Sequence, residues 1–310
     1  MAAPFAGRRS ALLGFAGALL GAAAPSAEAS RIAPGVFVLP GVHEDASADN
    51  LNAIANVGFV VGGEAVAVVD PGGSLRHGQL LRRAVEAATS LPIRFVVLTH
   101  AHPDHTMGAA AFADLKPEVV GHARLPEALA QRRGGYLRML EREMGGAAAA
   151  GSDALPPTRL VEGRLDLDLG GGRALSVTAH GPAHTDADLS LFDAATGTLW
   201  LSDLLFVERI PSMDGSLAGW LRELAALRER PAARAVPGHG PAAVPWPASA
   251  ATLTEYLEAL RDGTRAAIAA GVGIAEAPWR VAAPEASRWR LAEAYHGRNV
   301  SAAYRELEWE

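Results

Sequence analysis

The chain has 310 residues, 49% hydrophobic and 20% charged, a composition that excludes a disordered polymer and fits a packed core. The formal net charge is −6 with no basic stripe, which excludes non-specific nucleic-acid binding, since that needs clustered Lys and Arg against phosphate. Cysteine is absent, so disulfides, thiolate metal sites and a cysteine nucleophile are excluded, and metal chemistry must use histidine and carboxylates.

Residues 1–29 read as a secretory signal peptide. Arg8 and Arg9 form a basic start, Ala11 to Ala24 is an apolar run, and Ala27-Glu28-Ala29 fits a small-residue cleavage site. The run is shorter than the roughly 20 residues of a membrane span, although an uncleaved anchor is the alternative. The Arg8-Arg9-Ser10 triplet points to the twin-arginine route as well as the general one. The expectation is a periplasmic protein with no membrane segment after cleavage.

Val36–Leu39, Val57–Val61 and Ala65–Val69 have strand character, separated by glycine-rich turns. Ser74 can cap a helix running to about Thr89, with Leu80, Leu81, Ala84, Val85 and Ala88 on one side. Ile93–Thr99 is a buried strand, Val119–Gly121 a short one, and Leu125 to about Glu143 a helix that loosens through Gly145–Pro157. Two hairpins follow, Leu165–Leu169 with Ala174–Thr178 and Leu189–Phe192 with Thr198–Leu201. Leu217–Arg228 is a helix, Arg234–Val236 a strand, and the chain from Ser249 is helical. Strands and helices thus alternate in two halves. Two sheets packed face to face with helices outside would give an α/β fold with four αββα layers, because each sheet must cover both faces. Periodicity alone leaves a doubly wound sheet open.

Three histidines fall within six residues in Thr99-His100-Ala101-His102-Pro103-Asp104-His105, directly after a buried strand. Strand ends are where α/β ligand sites gather. His100 and His102 can point to one centre, and Pro103 turns the chain so that Asp104 and His105 can point to a second. A structural histidine needs no such companions, so this is a metal site. His184, Asp203 and His239 sit beside other strand ends, in Ala183-His184-Thr185-Asp186, Ser202-Asp203 and Gly238-His239-Gly240. His77 reads as a helix-surface residue, and His122 as a strand-end neighbour.

The string HAHPDH followed by His184, Asp203 and GHG resembles the metallo-β-lactamase superfamily across nearly the whole mature chain. The resemblance implies a four-layer αββα sandwich with a helical C-terminal region, divided as 1–29, 30–247 and 248–310. It implies that His100, His102 and His184 hold one metal, that Asp104, His105 and His239 hold the other, and that Asp203 bridges them. Asp70 in Val69-Asp70-Pro71-Gly72 matches an early turn that supports the ligand loop. His180 competes with His184, but His184-Thr185-Asp186 matches the family turn. Ile32–Val36, Gly41–Glu44, Asn56–Phe59 and Arg298–Val300 through Glu310 are similar to the exported quinoprotein relay system zinc metallohydrolases. That likeness implies association with a periplasmic quinoprotein dehydrogenase system. His43 and His296 lie in those stretches and are candidates for lining a substrate cleft.

The implied cofactor is two Zn2+, with Fe or Mn as alternatives. Two such ions can share and acidify one water, which then attacks a carbonyl or ester carbon. The expected activity is hydrolysis of a small ester, thioester or lactone, with Asp104 and Asp203 as catalytic carboxylates. Two other readings compete: a non-enzymatic metal-binding accessory protein, separated by an activity panel, and a mononuclear iron dioxygenase-like oxidoreductase, separated by metal analysis.

Overall fold

The computed structural model describes Met1 and residues 28–310, so the expected signal peptide lies almost entirely outside the described residues. Seven strands form the first sheet in sequence order: β1 (Ser30–Ala33), β2 (Val36–Leu39), β3 (Val57–Val61), β4 (Val66–Val69), β5 (Ile93–Leu98), β6 (Glu118–His122) and β7 (Arg159–Val161). Five form the second: β8 (Arg164–Asp168), β9 (Ala174–Ala179), β10 (Leu189–Asp193), β11 (Thr198–Phe206) and β12 (Arg234–His239). The strands β1 to β4 pair antiparallel, and β4 to β7 pair parallel. In the second sheet only β11 and β12 are parallel.

Parallel neighbours need crossovers, and helices supply them. Helix α1 (Leu75–Ala88) joins β4 to β5, and the single turn α2 (Pro103–Thr106) follows β5. Helices α3 (Leu125–Met144) and α4 (Gly146–Ala149) join β6 to β7, and α5 (Leu217–Arg228) joins β11 to β12. Helices α6 (Ala251–Ala269), α7 (Ala283–Ala286) and α8 (Ala292–Leu307) close the chain. Among the described residues, no helix is long and apolar enough to cross a membrane.

Strand alternation builds the layers. In β4, Ala67 and Val69 face inward to Val177, Leu191, Trp200 and Val236 of the second sheet. Val66 and Val68 face the other way, to Leu81 and Val85 of α1 and Leu125 of α3. In β11, Leu199, Leu201 and Leu205 pack on Trp220 and Leu224 of α5, with Leu257 and Leu260 of α6 and Val300 of α8. The fold is therefore the four-layer sandwich with a helical C-terminal region, and two separate sheets exclude the doubly wound alternative.

Several details depart from the sequence reading. The three-residue strand β7 and the edge strand β1 carry little pattern of their own and exist by pairing with β6 and β2. The Gly145–Pro157 stretch contains α4. Both β11 and β12 run further than expected, so Asp203 and His239 lie within strands. Ser74 does cap α1, its hydroxyl accepting from the His77 N–H at 3.2 Å.

His77 is not on the surface. It is 3% exposed, because the turn at Gly72 and Gly73 closes over it and the Gly73 N–H donates to its Nδ1 at 3.2 Å. Burial pushes its pKa down to about 4, with Asp104 opposing and His105 reinforcing the shift. The unfolded chain therefore binds the proton more readily, so stability is full above about pH 6.5 and falls as pH drops toward 4, by up to about 3 kcal/mol. His77→Asn keeps an acceptor without the titration. Urea melts at pH 7 and 4.5 should show a smaller acid loss in the variant; equal losses would exclude His77 as the source.

Candidate metal centre

The seven side chains named from the sequence converge at one end of both sheets. His100 follows β5, Asp104 and His105 ride on α2, His184 lies before β10, Asp203 is in β11 and His239 ends β12. His100, His102, His184 and Asp203 form one group and Asp104, His105 and His239 a second, each with possible ligand atoms within 4.8 Å of one another. Asp203 sits between them. Its Oδ1 is 3.0 Å from His105 Nε2, and its Oδ2 is 3.2 Å from His184 Nε2, 3.5 Å from His239 Nε2 and 3.7 Å from His100 Nε2. Asp104 Oδ2 lies 3.4 Å from His239 Nε2 and 3.7 Å from His105 Nε2.

Four of the five imidazoles are anchored through their far nitrogen, which leaves the near one a lone pair. His105 Nδ1 donates to Asp70 Oδ2 at 2.8 Å, and His239 Nδ1 to the Ile54 carbonyl at 2.8 Å. His100 Nδ1 meets the Thr99 hydroxyl at 3.0 Å, and His102 Nε2 meets Asp214 Oδ2 at 3.2 Å. Asp70 is itself over-determined: it accepts the Thr99 N–H and the Thr99 and Ser202 hydroxyls, each at 2.9 Å. Those bonds hold Asp70 and Ser202 at positive φ, 54° and 47°, a strained backbone concentrated at the site.

The charges are mutually dependent. Burial would raise the Asp203 carboxyl, but the surrounding imidazoles, His105 foremost, hold it well below the usual range. Burial would likewise lower His105, yet Asp203, Asp104 and Asp70 hold it well above 6.5. His100, without so many carboxylates, is driven well below the usual value by burial. The carboxylates are thus balanced by protons on imidazoles such as His105 and His184, and a cation that displaced those protons would find ring nitrogens free to coordinate it.

The donor set fits one. His100 Nε2, His105 Nε2 and Asp203 Oδ1 face the cluster and are buried with no well-aligned hydrogen bond, their short contacts being to one another. Metal coordination would relieve that costly state, and His184 meets the cluster through its Nε2. His43 lies 3.5 Å from Glu208, and His296 bonds Tyr256 and the Val281 carbonyl; neither is among the residues lining the adjoining cavity.

His180 stands apart. Its Nδ1 is 2.9 Å from Glu223 Oε2 and its Nε2 is 2.7 Å from Ser190 Oγ, the spacing of a serine–histidine–carboxylate relay. Ser190 is 1% exposed, so its hydroxyl has no route to substrate and the trio is structural. Asp214 was missed from the sequence. It also pairs with Arg132, and its carboxyl is held down to about 2: burial opposes this, but the His102 hydrogen bond and Arg132 outweigh it. No local pattern marks it.

Two facing sheets with a His/Asp cluster at their common end define a metal-centred α/β sandwich. The sequence matches the metallo-beta-lactamase superfamily over residues 52–239, more than half of its length, and the chain belongs to that superfamily. Its fold is similar to TMB-1, a solved structure with 16% identity and a TM-score of 0.58 that covers 74% of this chain and 96% of that one. It is similar to the metallo-beta-lactamase FIM-1 from Pseudomonas aeruginosa in its mono-zinc form, at 19% identity and a TM-score of 0.57, covering 76% and 98%. It is also similar to the inverting sec-alkylsulfatase Pisa1 from Pseudomonas sp., at 14% identity and a TM-score of 0.67, covering 91% of this chain and 50% of that one. A comparison with curated proteins found no match. Fold and cluster together support a metallohydrolase.

Proposed function

We propose that the chain is an exported dinuclear zinc metallohydrolase that cleaves a small ester, thioester or lactone and serves a periplasmic quinoprotein oxidation system. The observation that carries this reading is the convergence of the His100, His105, His184 and His239 Nε2 atoms on the Asp203 carboxylate beside an open cavity, with His100 Nε2, His105 Nε2 and Asp203 Oδ1 buried there. His100, His102 and His184 would hold one ion, Asp104, His105 and His239 the other, with Asp203 between them. Bound there, zinc supplies a Lewis acid that acidifies water and polarises the electrophile.

The chain's own groups do the rest. Asp104 lines the cavity; burial would raise its carboxyl, but His105 and His239 hold it ionised, well below the usual carboxylate range, and it orients the attacking water through a carboxylate oxygen. Asp203 keeps a negative charge among the imidazoles, and Asp70 fixes the His105 ring that faces it. Phe206, stacked on His239 with ring centroids 5.0 Å apart, shields that imidazole from water.

The quinoprotein association rests on the stretches that resemble that subfamily, two of which brace the site. Asn56 donates to the carbonyls of Pro237, at 2.9 Å, and Gly240, at 3.2 Å, and so holds both ends of the GHG turn. Asn299 accepts the Met213 N–H at 3.1 Å and donates to the Pro211 carbonyl at 2.7 Å, which fixes the loop carrying Asp214. The test is metal analysis of the purified protein with a screen against acyl thioesters, lactones and sulfate or phosphate esters. Two zinc ions per chain and chelator-sensitive turnover are expected. One iron with no hydrolysis would favour the oxygenase reading, and metal without any turnover the accessory one.

A further inference from the structure

A cavity of about 370 Å³ opens beside the cluster. His102, Asp104, Asp203 and His239 line one side, while Arg209, Tyr295 and Arg298 line another. Tyr295 and Arg298 lie three residues apart on α8, hence on one face. The guanidinium carbons of Arg209 and Arg298 each lie 5.5 Å from the centre of the Tyr295 ring. Arg209 is 5% exposed, and its nitrogens donate to the Glu44 carbonyl at 2.8 Å and the Tyr295 hydroxyl at 3.3 Å. Its nearest carboxylate oxygen, Asp45 Oδ1, is 3.9 Å away.

The carboxylates of this wall are already engaged. Asp45 accepts the Tyr295 hydroxyl at 2.6 Å, and Glu143 pairs with Arg142 at 2.8 Å. Among the described residues, no carboxylate lies within 4.0 Å of the Arg298 guanidinium. The backbone that carries it is fixed, because neighbouring Asn299 ties α8 to the Pro211–Met213 loop. Arg298 is exposed, so a missing counter-charge costs it little, but the guanidinium is left free at the cavity wall, over the Tyr295 ring and backed by the buried Arg209. It is a good receptor for an oxyanion, because the planar fork of arginine matches a carboxylate, sulfonate or phosphate with two hydrogen bonds.

We infer that Arg298, backed by Tyr295 and Arg209, is an anion-binding subsite that selects substrates carrying an oxyanion group beside the scissile bond. This rests on the hydrolase reading and narrows it: the helical C-terminal region supplies specificity to a centre built by the sheets.

The experiment uses the zinc-loaded full chain and acetyl esters with one acyl group and different leaving groups: phenyl acetate, 4-acetoxybenzoate, 4-acetoxybenzenesulfonate and 4-acetoxyphenyl phosphate. The ratio of kcat/KM between the best anionic ester and phenyl acetate should be about tenfold or more in the wild type. Arg298→Gln should bring it close to one, and Arg298→Lys should retain part of it. The anion with the highest ratio identifies the oxyanion class. Calorimetric titration with benzoate and benzenesulfonate reads the same subsite without turnover, and Arg298→Gln should weaken the tighter of the two about tenfold. Arg298 is exposed, so the variant should fold. Equal ratios in wild type and variant, or no preference for any anionic ester, would overturn the subsite. Absence of turnover on all four esters would count against the hydrolase reading, and the titrations would still decide the subsite.

Discussion

Asp203→Asn is expected to abolish hydrolysis while leaving the chain folded. Asparagine keeps the size and one oxygen but removes the negative charge. That charge lies within 3.7 Å of four imidazoles, and it is what raises His105 and His184 above the ordinary histidine range against the opposing effect of burial. Losing a residue that merely supports a metal ligand costs about 10–100-fold in affinity or activity. Losing charge at the centre itself should cost at least about a thousandfold, and lower the bound metal below two ions per chain. Far-ultraviolet circular dichroism, metal stoichiometry by mass spectrometry and turnover on the best substrate of the screen would read the three effects. Two bound ions with unimpaired turnover would remove Asp203 from the centre. The next carboxylate to test would then be Asp104, which also faces His105 and His239.

How far the chain discloses this centre depends on the range of the interactions. His100 to His105 is a local pattern, and a strand followed by a proline turn aims its side chains without outside help. The two sheets are equally local, since alternation and glycine turns mark most of their strands. The supports of the histidines are not. Asp214 reaches His102, and the Ile54 carbonyl reaches His239, only because the chain folds. A backbone carbonyl has no sequence signature at all. His77 misleads for a different reason. It stands three, four, seven and eight residues before Leu80, Leu81, Ala84 and Val85, hence on the apolar stripe of α1. Only its polar side chain makes it read as a surface residue, and the Gly72-Gly73 turn closes over it. Tyr295 and Arg298 show the limit of range again: α8 is readable as a helix, but nothing in it says which face meets the cavity.

Gly238→Ala is expected to be far more damaging than its size suggests. Gly238 lies in β12, next to β11, where the register between the two strands slips around Ser202. A Cβ built on Gly238 would fall 1.8 Å from Asp203 Oδ1, 2.7 Å from the Asp203 nitrogen and 2.7 Å from the Ser202 carbonyl carbon. The carboxylate could rotate away only by leaving the imidazoles it serves, and the two backbone atoms cannot move without parting the strands. Ser202 already sits at positive φ and donates to Asp70, so that stretch has no slack. The substitution should cost about 3 kcal/mol or more in stability, at the upper end of overpacking in a filled core. It should also impair metal retention, because Asp203 and the neighbouring His239 are displaced together. Gly135→Ala is the matched comparison. Gly135 lies within α3 with nothing within 4 Å of a Cβ, so the same change there should stabilise by up to about 1 kcal/mol through helix propensity. Urea melts of both variants, with metal content measured in parallel, separate the two effects; equal melts and full metal in Gly238→Ala would show that β11 and β12 can part without cost.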